Sequence, residues 1–175
     1  KASDLFLKIN WINGDINDIP SLDRAMEDCN TVIHSAGLVS FLPGDTDLLK
    51  KVNIEGTSNI VNIALSKGIS KLGYVSSIAT LGRYSHNRII DENCYFKSNK
   101  LNSRYALSKY YAEQEVWRSY AEGLDVVIVN PSVILGPGNW EKGSSQIFQK
   151  IYSGLKYYTC GSTGYVDVLD VADVL

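Results

Sequence analysis

The chain of 175 residues carries 17 Lys and Arg against 19 Asp and Glu, a formal net charge of −2, with 45% hydrophobic and 21% charged residues. That length suits one domain or most of one, and the composition supports a packed core rather than disorder. The slight acidity offers no basic stripe to displace counterions, which argues against a nucleic-acid partner. The longest unbroken apolar run, Val126–Val129, falls far short of the ~20 residues of a membrane-spanning helix.

Leu5, Leu7, Ile9 and Trp11 alternate with more polar neighbours, predicting a first strand over Leu5–Ile12 that stops at Asn13-Gly14-Asp15. Ser21 is the expected cap of a short helix in which Leu22, Ala25 and Met26 share a face. Thr31-Val32-Ile33 reads as a β-branched strand ending in His34-Ser35-Ala36-Gly37. Leu49, Val52, Gly56, Ile60 and Ala64 lie about one turn apart, predicting a helix from Asp45 to Lys67 that Gly68 terminates. Leu72–Val75 is a further strand, closed by Ser76-Ser77. A long helix follows from Ser103 to Glu122, ended by Gly123. The strand Asp125–Asn130 comes next, apolar on both faces and so expected to be covered on both.

Strand and helix alternate with short connections, which predicts a doubly wound parallel α/β sheet. After Pro131 the glycines Gly136, Gly138, Gly143, Gly154, Gly161 and Gly164 break the chain into short pieces. Residues 1–131 therefore read as one domain and 132–175 as the start of a smaller subdomain. No glycine-rich turn precedes the first strand, and Leu175 follows closely on a nascent helix. The expectation is a fragment that lacks its first βαβ unit of ~30 residues. Cys29, Cys94 and Cys160 are widely spaced, with no CxxC and only two histidines in the chain. They read as reduced structural thiols, with no metal site and, in the absence of a leader, a cytoplasmic setting.

Chemistry is signalled most strongly by Tyr105 and Lys109. Four residues apart on a helix, they share a face, and a cation beside a phenol lowers its pKa toward the range where it exchanges protons with a carbonyl or alcohol oxygen. The spacing alone is weak, since chance gives about one such pair in a chain of this composition. Tyr152 and Lys156 form another, with Gly154 between them, and read as structural. What separates the pairs is Ser76-Ser77 at a strand end 28 residues before Tyr105, where ligands of parallel sheets bind.

These residues belong to an ordered set: Asn13-Gly14-Asp15-Ile16, Val32 to Gly37, Val52 to Thr57, Tyr74 to Ser77, Tyr105 to Lys109, Asn130 to Gly138, and Val166-Asp167-Val168. In that order they resemble the extended branch of the short-chain dehydrogenase/reductase superfamily. Ala36 to Phe41 and Tyr110 to Trp117 are similar to its dihydroflavonol reductase-like members. The resemblance implies a Rossmann-like fold, NAD or NADP as cofactor, and a small-molecule substrate. It further implies Ser77, Tyr105 and Lys109 as the catalytic set, Tyr105 exchanging the proton. For the cofactor it implies Asp15 and the Ile16 backbone at the adenine, Ala36 and Gly37 at ribose and pyrophosphate, and Asn53 and Ser76 nearby. Lys109 would meet the nicotinamide ribose, Pro131, Ser132 and Val133 would pass beside the ring, and Ser145 would add a further contact. Val39 and Phe41 would form an apolar wall for substrate.

The family's glycine-rich phosphate turn is not in this chain, and Gly136-Pro137-Gly138 is no substitute, because Pro137 lacks a needed N–H. Hydride transfer between nicotinamide and a carbonyl or secondary alcohol is the function implied. A nucleotide-sugar epimerase or dehydratase with tightly bound NAD, or a non-catalytic dinucleotide-binding protein, stand as alternatives. Relatives pair the two long helices between subunits, so a homodimer is implied as well.

Overall fold

Side chains alternate across a strand, so a parallel sheet presents its even-numbered residues to one layer and its odd-numbered residues to the other. The computed structural model describes residues 6–82, 89–100, 102–138, 143–157 and 160–175. Three parallel strands form its main sheet in the order β1 (Thr31–His34), β2 (Lys71–Val75), β3 (Asp125–Val129). The register sets Val32 beside Leu72 and Val126, and His34 beside Tyr74 and Ile128. That face is buried under helices: Leu72 and Tyr74 pack with Val61, Ala64, Ala112 and Val116 in one core cluster. The protein is thus a parallel α/β structure of Rossmann-like architecture.

On the opposite face cover is uneven. Gly73 lies under Leu175, whose Cδ2 would meet an added Cβ at 3.5 Å. Ile33 on β1 is 57% exposed, and β3 is half-buried along most of its length. Burial of both faces, expected for β3, is realised more fully on the central strand β2.

The helices follow their sequence signals with informative departures. α1 (Ile19–Ala25) begins two residues before Ser21, with Pro20 in its first turn, where a missing N–H costs nothing. Ser21 is therefore not its cap. The hydroxyl is buried and closes the preceding turn, donating to Asp18 O at 2.8 Å and receiving Asp15 N at 3.2 Å. The continuous helix expected from Asp45 to Lys67 is instead composite. A 3-10 turn (Pro43–Asp45) leads into α2 (Thr46–Leu49), a π-helical stretch (Lys50–Glu55) and α3 (Gly56–Ser66). The wide turn sits at Asn53, whose carbonyl is taken by the Thr57 hydroxyl at 2.6 Å. α4 (Arg104–Ala121) starts where Ser103 Oγ accepts Ala106 N at 3.0 Å, and Gly123 follows it at φ 102°.

A second, two-stranded parallel sheet pairs β4 (Val133–Leu135) with β5 (Tyr165–Asp167). Between them lies α5 (Gln146–Tyr152), and after them α6 (Val168–Asp173), capped by Asp167 Oδ1 on Leu169 N at 2.8 Å. The first predicted strand does not form. Leu5 lies outside the described residues, and over residues 6–12 the backbone pairs with no described strand, leaving Phe6, Leu7 and Trp11 60%, 84% and 65% exposed. Alternation chooses a face but cannot supply the neighbour whose ladder satisfies the strand. Among the described residues no helix is long and apolar enough to cross a membrane.

Candidate active site

Residues four apart on α4 form a stripe, and Tyr105, Lys109 and Glu113 direct that stripe at the end of β2. The Lys109 ammonium donates to the Tyr74 hydroxyl at 2.7 Å and to Val75 O at 2.9 Å. Burial draws Lys109 down to about 8, with the Glu113 carboxylate acting the other way. Ser77 Oγ accepts Ala79 N at 3.1 Å and opens the 3-10 turn Ile78–Thr80. The Ser77 hydroxyl lies near enough to the half-buried Tyr105 phenol to act on its acidity. Phe41 stands edge-on to the Tyr105 ring, centroids 5.7 Å apart. Phe41 is itself exposed, as is Val39.

The geometry of the pair differs from that expected. Lys109 should have lowered the phenol's pKa. Instead its ammonium is held by Tyr74 and Val75, and burial raises Tyr105 above the ordinary phenol value, opposed by the Ser77 hydroxyl. Burial thus keeps the Tyr105 phenol neutral at physiological pH.

Behind Lys109 lies a buried polar cluster with no counterpart in the sequence reading. Thr57 has one hydroxyl proton, and Asn53 O, at 2.6 Å, takes it. The 2.9 Å contact between Thr57 Oγ1 and His34 Nε2 must then be donated by the imidazole, which assigns the Nε2–H tautomer from the network. Desolvation, with Lys109 close by, brings His34 down to about 4. Tyr74 is pushed up, chiefly by burial.

The expected cofactor residues divide by place. Asp15 Oδ1 accepts Asn17 N at 2.8 Å and Asn17 Nδ2 at 3.2 Å, which lowers its pKa. Ile16 O accepts Asn59 Nδ2 at 3.2 Å. Gly14, Asp15, Ile16, Ser35 and Ala36 share a cleft at the end of β1, and Ala36 and Gly37 are exposed there. Asn53 is buried. Its Oδ1 accepts Leu38 N at 2.7 Å, and its Nδ2 donates to Leu38 O at 3.0 Å and Ser108 Oγ at 2.9 Å. With both amide hydrogens so engaged, it reaches the cleft by clamping the loop after Gly37. Ser76 gives its hydroxyl proton to Glu113 Oε2 at 2.5 Å. Pro131 O receives Ile78 N at 3.0 Å, Ser132 packs against Gly164, and Val133 N reaches Gly164 O at 3.2 Å. Ser145 precedes α5 near Gly138. The other Tyr–Lys pair shares no helix: α5 ends at Tyr152, and Gly154 takes φ 88°.

Tyr74, Thr57 and Glu113 lie within quoted motifs that gave them no role of their own. Tyr74 carried a faint signal, a polar tip at a core-facing strand position, and Glu113 lies one turn beyond Lys109 on the same face.

Residues 2–170 match the family model described as the 3-beta hydroxysteroid dehydrogenase/isomerase family. A Synechocystis protein described as "Putative dihydroflavonol 4-reductase" is 35% identical over 170 residues, covering 95% of this chain and 49% of its own. Cinnamoyl-CoA reductase 1 of Petunia hybrida is 29% identical, over 94% of this chain and 52% of its own. The structure of Bordetella bronchiseptica WbmH in complex with NAD+ aligns at TM-score 0.76 and 27% identity, over 91% of this chain and 52% of that one. The chain spans about half the length of the curated relatives it matches.

Proposed function

The chain belongs to the 3-beta hydroxysteroid dehydrogenase/isomerase family of extended short-chain dehydrogenases/reductases, and from that premise we propose that its full protein is an NAD(P)-dependent oxidoreductase. It reduces a carbonyl of a small molecule to a secondary alcohol, or runs the reverse. The carrying observation is the convergence of Ser77, Tyr105 and Lys109 at the end of β2, where Lys109 donates to Val75 O and Ser77 opens the next turn.

The residues present fit a nicotinamide dinucleotide. Two donors of the Lys109 ammonium are taken by Tyr74 and Val75, leaving a third for a ribose hydroxyl. Asp15 is ionised, and one carboxylate oxygen is turned to Asn17; the other suits the adenine amine. Ala36 and Gly37 present uncluttered backbone in the same cleft. The glycine-rich phosphate turn is not among the residues of this chain. When bound, such a cofactor supplies a hydride at nicotinamide C4.

The chain's own residues handle the oxygen of the reacting group. Ser77 orients it by hydrogen bonding. Tyr105, held protonated by burial, transfers its phenolic proton to that oxygen as the carbonyl carbon accepts hydride, and is reprotonated from solvent. Phe41 and Val39 exclude water from one side. The second sheet, from residue 132, begins the substrate-facing subdomain, and α4, with Trp117 and Tyr120 exposed, suits pairing with a second copy. The cytoplasmic setting expected from the sequence belongs to this reading.

The test uses the full-length protein with NADH and NADPH and a panel of aryl and alicyclic ketones and CoA thioesters. Tyr105→Phe should reduce turnover by roughly 10²–10⁴-fold while nicotinamide fluorescence shows cofactor binding within about twofold of wild type. Undiminished turnover in that variant overturns the assignment. Turnover of a nucleotide sugar with no net NAD(P)H consumption would replace it with an epimerase or dehydratase.

A further inference from the structure

Glu113 gathers four donors from three segments of chain. Its Oε2 accepts Ser76 Oγ at 2.5 Å, Thr80 Oγ1 at 2.8 Å and Asn130 Nδ2 at 2.9 Å, while Oε1 accepts Trp117 Nε1 at 3.3 Å. Ser76 and Thr80 bracket Ser77 in the chain. Asn130 Nδ2 also reaches Ser77 O at 3.3 Å, and Thr80 Oγ1 lies 2.9 Å from the same carbonyl. Thr80 has one proton, given to Glu113, so it is the Asn130 amide, with two hydrogens, that ties the Ser77 carbonyl to the carboxylate, while Ser76 anchors the preceding residue to it. With Ser77 Oγ accepting Ala79 N, its own proton is left to turn to the Tyr105 phenol while no substrate oxygen is bound.

We infer that Glu113 is a positioning residue that sets the Ser77 hydroxyl against Tyr105, a role that rests on the proposed function only for its catalytic meaning. Only a carboxylate suits the place. Every neighbour is a donor, and an amide in either orientation would turn its own N–H₂ toward another donor.

The relay is readable without substrate. In the full-length protein labelled with 3-fluorotyrosine, the ¹⁹F resonance of position 105 is identified by its loss in Tyr105→Phe and followed against pH. Ser77 stabilises the phenolate, so Ser77→Ala should raise the midpoint. Glu113→Gln should raise it by a similar amount, and the double variant no further than Ser77→Ala alone. Removing a negative charge by itself moves a phenol's midpoint down, so the sign separates lost positioning from lost charge. Should Glu113→Gln not fold, Thr80→Val removes one of the four bonds and should give a smaller rise. An unchanged or lowered midpoint in a folded variant, or additive shifts in the double variant, overturns the inference. Failure of the hydride chemistry would appear in the turnover assay and leave this titration as it is.

Discussion

The Lys109 ammonium donates to the Tyr74 hydroxyl at 2.7 Å, four residues along α4 from the phenol it was expected to face. That bond ties the stripe of α4 to the core face of β2 and stabilises the charged form of a buried amine. Tyr74→Phe removes the acceptor without changing the ring. Lys109, already lowered to about 8, should titrate lower still, followed by the ¹³Cε shift of labelled lysine. Unfolding in urea at pH 7 should show a loss of about 1.5–3 kcal/mol, the range for hydrogen bonds to charged groups. A Lys109 midpoint that stays put would show that Val75 O alone holds the ammonium.

His34 gives the fold a specific pH dependence. Its folded pKa of about 4 lies below the unfolded value of ~6.5, so the unfolded chain binds more protons between the two. Stability from keeping this imidazole neutral is complete above pH ~6.5 and is lost as pH falls toward 4, by up to roughly 3 kcal/mol. Carboxylates titrate in the lower part of that window, so the contribution is isolated by difference. Urea unfolding of wild type and His34→Gln across pH 4–7 should show a flatter profile for the variant, and parallel profiles would contradict the depressed pKa.

How much of this could be read from residues alone depends on whether the information was local. β-branched Thr31-Val32-Ile33, the Ser103 cap and the stop at Gly123 are local, and the observed elements lie within about two residues of expectation. Ser77, Tyr105 and Lys109 were legible because strand end and helix face are each local patterns. Where the Lys109 side chain points was not, because it depends on Tyr74, 35 residues away. The π turn at Asn53 escaped for a similar reason, since Leu38 and Ser108 pull that amide inward from 15 and 55 residues away. Residues 6–12 show the converse failure, a good strand pattern without a described strand to pair with.

Asn53 offers a stability test of that clamp. Its amide satisfies Leu38 N and O and Ser108 Oγ, and it is 2% exposed. Asn53→Ala leaves those groups facing a cavity. The expected loss is about 2–4 kcal/mol, from several bonds and their unpaired partners. Amide hydrogen exchange at Leu38 should accelerate along with it. A loss below ~1 kcal/mol would mean that water replaces the amide there.

Gly56 tests how the Asp15–Ile16 turn is seated on the helix. A Cβ at Gly56 would lie 2.9 Å from both Ile16 Cδ1 and Cγ1 and 3.0 Å from Cγ2, so the whole isoleucine would have to move. Two effects compete in Gly56→Ala. Alanine in a helix interior gains roughly 1 kcal/mol over glycine, while overpacking costs roughly 1–3 kcal/mol. Contact with three atoms of a branched side chain makes the overlap the larger effect, and a net loss of up to about 2 kcal/mol is expected. Ile16→Ala empties the contested space. In the double variant the helix gain should reappear, and the double-mutant cycle should give a favourable coupling of about 1 kcal/mol or more. Strict additivity would show that Ile16 already yields freely, and the turn carrying Asp15 would then not be fixed by α3.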